Sequence, residues 1–143
     1  MTTTDEQPAR GASRRETLLL VMHDLPSGFR LLTALLHKTP YEVFLATERF
    51  QALDFLQYLT PLLMICEYQL PGMNGIEFFD FLHTQEKFAT LPVLLLSTGD
   101  PRLEEEIRQR QIERLRQPFT VDELVVYIQE VVARHSRSST NNL

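Results

Sequence analysis

Three short apolar runs constrain this chain more than anything else in it: residues 18–22 (LLLVM), 62–66 (LLMIC) and 93–96 (VLLL). None of them alternates polar with apolar residues, so each must be covered on both faces, as the strands of a parallel sheet are. Residues 41–46 (YEVFLA) are more mixed and suit a strand nearer an edge, and residues 112–115 make a weak fifth strand. Between the strands, apolar residues recur at helical spacing: Phe29, Leu32, Leu35 and Leu36; Phe50, Leu53, Leu56 and Leu59; Ile76, Phe79 and Leu82. Val121, Leu124, Val125, Ile128, Val131 and Val132 make the last and clearest such stripe. Strands and helices alternating in this way imply a doubly wound α/β sandwich with right-handed crossovers.

The chain's 143 residues suit one domain with a proper core. Residues 1–16 and 136–143 lack hydrophobic periodicity and read as disordered tails, which leaves 17–135 as the folded unit. No linker leads from it to an output module, so the expectation is a stand-alone domain. A net charge of −5 argues against nucleic acid as a direct partner, because neutralising phosphates needs a basic surface. The start of the chain lacks a signal-peptide core, no apolar run reaches the ~18 residues of a membrane span, and the one cysteine can form no internal disulfide. A cytoplasmic protein not held in a membrane is expected.

An open parallel sheet carries its site at the carboxyl ends of its strands. The residues to weigh are therefore His23-Asp24 with Pro26, Glu67 with the loop 68–75, Ser97 to Asp100, and Gln117-Pro118-Phe119.

The segment Leu70-Pro71-Gly72-Met73-Asn74-Gly75 resembles the loop that follows the phosphoacceptor strand in receiver domains of bacterial two-component response regulators. Asp24 and Pro26, Leu91-Pro92-Val93 with Ser97, and Pro118-Phe119 fall in the family's order and spacing. The resemblance implies a flavodoxin-like (βα)5 fold, a five-stranded parallel sheet of order 2-1-3-4-5, a cis Gln117-Pro118 bond, and phosphorelay signalling rather than enzymatic turnover. In that family an aspartate accepts a phosphoryl group from a histidine kinase, two acids and the aspartate hold Mg²⁺, and a lysine and a hydroxyl contact the phosphoryl oxygens. Such a site must neutralise developing negative charge.

Over those positions this chain places His23 for the first acid, Asp24 for the second, Glu67 for the phosphoacceptor, Ser97 for the hydroxyl and Gln117 for the lysine. Its two lysines, Lys38 and Lys87, fall at the opposite end of the sheet, and strand alternation points Arg116 away from the site. The expected function is therefore an atypical receiver, a pseudo-receiver, acting by protein contact without conventional phosphorylation. The alternative is a phosphorelay receiver using Asp24, Asp100 or Glu67 as acceptor. A hydrolase built on His23, Asp24 and Glu67 lacks a positioned nucleophile.

Two readings of Glu67 stand side by side: a permanent, partial imitation of the phosphorylated state, and a solvated relic. Its charge of −1 falls short of the roughly −1.5 to −2 of a phosphoryl group. Protonated His23 beside Asp24 and Glu67 would give a metal-free ionic cluster, unless it is an ordinary loop histidine. No cofactor is expected beyond a weak residual Mg²⁺ site from Asp24, Glu67 and the Gln69 carbonyl.

On the output side, the position of the family's switch aromatic holds Arg114. Helical spacing pairs Glu104 with Arg108 and Glu106 with Arg110. With Ser97, the arginines 108, 110, 114 and 116 are candidates for a switch and docking face, against the plainer reading of a solvated helix. The expected partner is a histidine kinase or a downstream effector, and the resemblance admits a homodimer through the fourth helix, fifth strand and fifth helix. Phe78 and Phe81 fall off the face of Phe79 and suggest a contact patch. Cys66 reads as core rather than nucleophile.

Overall fold

The computed structural model of the protein describes residues 15–141, the last five by backbone alone. Most of the expected N-terminal tail, residues 1–14, lies outside the described residues. Five parallel strands, β1 (Thr17–Val21), β2 (Glu42–Ala46), β3 (Leu63–Glu67), β4 (Val93–Ser97) and β5 (Glu113–Arg116), form one sheet in the order β2-β1-β3-β4-β5. The continuous apolar runs occupy its centre, as expected. Their register places Leu19 beside Phe44 and Met64, and Cys66 beside Val21 and Leu95.

Five helices alternate with the strands: α1 (Leu25–Lys38), α2 (Arg49–Leu56), α3 (Gly75–His83), α4 (Pro101–Arg110) and α5 (Val121–Asn141). Because side chains alternate along a strand, the core has two halves. Leu19, Val21, Met64, Cys66, Val93 and Leu95 pack under α2, α3 and α4. Leu18, Leu20, Leu63, Ile65, Leu94 and Leu96 pack under α1 and α5, against Leu31, Leu35, Leu124, Ile128 and Val131.

Helix phase departs from the stripes in three places. In α1 the buried face is Gly28, Leu31 and Leu35, while Phe29 and Leu36 are exposed. In α2 Ala52 and Leu56 are buried and Phe50 is exposed. In α3 Phe78 is fully buried and Phe79 only partly, so the expected contact patch loses Phe78 and keeps Phe81. Burying a ring such as Phe78 stabilises the fold by about 1.5–3 kcal/mol over leaving it exposed. At the far end, α5 runs on to Asn141, so the backbone of residues 136–141 is helical where composition suggested a tail.

Candidate functional site

The site lies where β1, β3 and β4 end. The loop after β3 is shaped by backbone geometry: Gly72 takes φ +78°, and Asn74 caps α3 through a reciprocal pair of bonds with Glu77, 2.9 Å each. Such a capping box satisfies two helix donors at once. Gly75 donates to the Tyr68 carbonyl at 2.7 Å and seats the helix against the end of β3. A Cβ at Gly75 would fall 2.6 Å from Leu95 Cδ1, which is why a glycine opens α3.

Glu67, half-buried as the last residue of β3, turns its carboxylate toward the β1–α1 loop. Oε1 accepts from the backbone N–H of His23 and, at 3.0 Å, from that of Asp24. A carboxylate accepting backbone N–H bonds is held as a charge-assisted acceptor. The His23 ring makes no hydrogen bond or ion pair among the described residues, so it is the backbone of residue 23, not the imidazole, that meets Glu67. The imagined ionic cluster is not formed, because an extended glutamate reaches the peptide N–H groups first.

Asp24 is also occupied. It is the N-cap of α1, its carbonyl accepts from Gly28 N at 2.8 Å, and its Oδ2 accepts from the Ser27 hydroxyl at 2.6 Å. Asp100 caps α4, its Oδ1 accepting from Arg102 N at 2.8 Å. Gln69 and Gln117 are exposed, and Gln117 reaches the site only by backbone, donating to the Ser97 carbonyl at 2.9 Å.

A divalent ion needs six or more oxygens, with carboxylates to meet its charge. Among the described residues no three His, Cys, Asp or Glu side chains come together to hold a metal; Glu67 and Asp24 each have one carboxylate oxygen engaged, and Asp100 is turned to its own helix. The arrangement does not fit Mg²⁺ as found.

Ser97 ends β4, fully buried. Its hydroxyl accepts from Gly99 N at 3.0 Å and donates to a Glu104 carboxylate oxygen. The other oxygen of Glu104 accepts from Arg114 Nε at 2.7 Å. Helical spacing had paired Glu104 with Arg108; instead Arg108 turns to Glu105, at 2.6 Å, and Glu104 crosses to β5. The expected Glu106–Arg110 pair is present at 3.7 Å, but the shorter contacts of Arg110 are two bonds to Asp80 of α3, 2.8 and 2.9 Å.

Arg116 keeps the face that strand alternation gives it, yet its guanidinium reaches the rim of the site. It shares a face of β5 with Arg114, and its guanidinium lies over Gly99, where a Cβ would fall 2.5 Å from Nε. Arg49 does the same above Gly72, donating to the Pro71 carbonyl at 2.7 Å. Both glycines have positive φ, and each leaves room for a guanidinium at the rim of the site. No periodicity signals Arg49; only its place at the start of α2, beside the same end of the sheet, could have suggested it. The Gln117-Pro118 bond is cis, as the resemblance implied. Beside β5 a groove of about 550 Å³ runs between a basic rim, Arg114 and Arg116, and an acidic one, Asp122, Glu123 and Glu130.

The family model described as response regulator receiver domain matches residues 19–129. The response regulator Rre1 of Synechocystis sp. is 31% identical over 129 residues, covering 85% of this chain and 54% of that protein. The chain spans about half the length of the first curated relatives it matches. Among solved structures, the signal receiver domain of an HD domain-containing protein from Pseudomonas fluorescens Pf-5 superposes with a TM-score of 0.76. It is 26% identical, over 87% of this chain and 99% of that one. The receiver domain of the sensor histidine kinase PA1611 from Pseudomonas aeruginosa PAO1, with a magnesium ion coordinated in its active site cleft, has a TM-score of 0.71. At 21% identity, over 84% and 99% of the two chains, that likeness is one of fold.

Proposed function

The chain belongs to the response regulator receiver domain family, and on that premise we propose that it is a pseudo-receiver: it signals through protein contacts and does not take a phosphoryl group in the conventional way. The observation that carries this reading is the Glu67 carboxylate bound to the His23 and Asp24 backbone. One of its two oxygens, Oε1, is used to hold the loop after β1. Phosphoryl transfer needs neutralising groups at the reacting oxygens; here Gln117 stands in the lysine position, Asp24 is bonded to Ser27, and the guanidiniums of Arg49 and Arg116 lie over Gly72 and Gly99 at the rim.

The partner is a protein, a histidine kinase or a downstream effector, met in the cytoplasm and without direct contact to nucleic acid. The groove beside β5 supports a contact made by β5 and α5. A surface carrying Arg116 together with Glu123 and Glu130 would also suit a homodimer, in which a two-fold axis sets the same patch against itself. In these terms Glu67 works as a fixed substitute for a switchable group, and neither enzymatic turnover nor a resident cofactor is part of the reading.

Incubation with acetyl phosphate and Mg²⁺ followed by intact-mass measurement tests it. No mass gain is expected, and a phosphoryl adduct overturns the reading. Beryllofluoride should likewise leave the amide resonances of residues 23, 24 and 67 unmoved.

A further inference from the structure

Ser97 and Arg114 stand on neighbouring strands, and no hydrogen bond joins them directly. Glu104 joins them. One carboxylate oxygen receives the Ser97 hydroxyl and the other the Arg114 Nε, so a single side chain on α4 spans from the buried end of β4 to the exposed face of β5. The two ends differ sharply in access. Ser97 is fully buried, whereas the Arg114 side chain is 44% exposed.

We infer that Glu104 is a latch that couples the docking face to the site: a contact that draws the Arg114 guanidinium outward changes the hydrogen bonding of Ser97, and through Ser97 the loop that begins at Gly99. The chemistry makes the coupling stiff. A buried hydroxyl needs partners for its proton and its lone pairs, and here the proton goes to Glu104 while the Gly99 N–H takes a lone pair. When Arg114 leaves, Glu104 keeps its charge but loses the cation that fixes its orientation, and the Ser97 hydroxyl must follow or find another acceptor. Coupling of this kind is reciprocal, so a change at Ser97 is also felt at Arg114. The latch goes beyond the proposed function, because it acts whether or not the site accepts a phosphoryl group.

NMR of six proteins tests it: wild type, Arg114→Ala, Glu104→Ala, Ser97→Ala, and Arg114→Ala and Ser97→Ala each combined with Glu104→Ala. Alanine suits the helix at position 104 but removes the acceptor of the buried Ser97 hydroxyl, so a thermal melt of each variant verifies folding. In the wild-type background Arg114→Ala is expected to shift the amides of Ser97, Thr98 and Gly99; in the Glu104→Ala background the same substitution should leave them in place. Conversely, Ser97→Ala should move the Arg114 Nε–H resonance only while Glu104 is present. Shifts of equal size in both backgrounds would mean that the strand backbone carries the effect, and that result, or no shift in wild type, overturns the latch.

Discussion

Oε1 of Glu67 lies 3.0 Å from the backbone nitrogen of Asp24, so the end of β3 is tied to the start of α1 by a side chain that grows from the strand itself. Removing the acceptor with Glu67→Ala leaves the N–H groups of His23 and Asp24 to water. Because the tie is solvent-accessible, the expected loss is about 1 kcal/mol, below the upper range for hydrogen bonds to charged groups. Glu67→Gln, which keeps an oxygen in place, should lose less. Urea unfolding of the two variants measures this, and an unchanged midpoint for Glu67→Ala would show that the tie carries no stability.

Gly75 sits where the strand, the loop and α3 converge. Gly75→Ala would place a methyl group 2.6 Å from Leu95 Cδ1 and 3.0 Å from the Glu67 carbonyl. Overpacking of that kind costs about 1–3 kcal/mol, so the urea midpoint should fall although alanine is the better helix former. The amides of Glu67 and Tyr68 should shift with it.

The Cys66 thiol is buried, and burial first, then the neighbouring Glu67 charge, pushes its pKa well up. The thiolate is the reactive form. Native protein at about pH 8 should therefore resist Ellman's reagent over hours and react fully once unfolded in guanidinium. Rapid reaction of the native state would contradict the packing of β3.

Tyr127 gives a pH dependence. Burial, followed by the charge of Glu113, which its hydroxyl meets at 3.2 Å, raises the phenol above its ordinary 10.0. The folded state holds this proton more tightly than the unfolded chain does. The stability it contributes is therefore complete below pH 10 and is lost as pH climbs through the raised folded value. Thermal melts across alkaline pH should show the decline, and Tyr127→Phe should flatten it. Tyr41, raised for the same leading reason of burial, would supply what slope is left.

The fold was legible because its signals are repeated and local. Continuous runs such as LLLVM and VLLL, set between helical stripes, suit central strands, and they form them. Helix phase was legible to within about one residue, since a period of 3.6 cannot separate Phe78 from Phe79 in a run as apolar as IEFFDFL. Glu67 and Gln117 were visible as substitutions against a known pattern. Their contacts were not. Spacing assigns Glu104 to Arg108, yet the side chain leaves its own helix for Arg114, and Arg116 obeys strand alternation while its guanidinium settles over a glycine further along the sheet. Such contacts depend on which flexible side chain reaches a neighbouring element first, and no one-dimensional period records that competition.

β5 closes one side of the sheet, and its free edge offers unpaired peptide groups to any other extended chain. Edges of this kind are starting points for aggregation unless they are short or charged. β5 is both: four residues long, with Arg114 and Arg116 on one face and Glu113 on the other. The arginines of the proposed docking surface thus double as a guard on solubility. A partner that neutralises them must cover the edge as well, so a short acidic peptide that masked the charge and left the strand bare would be expected to promote clumping instead of signalling.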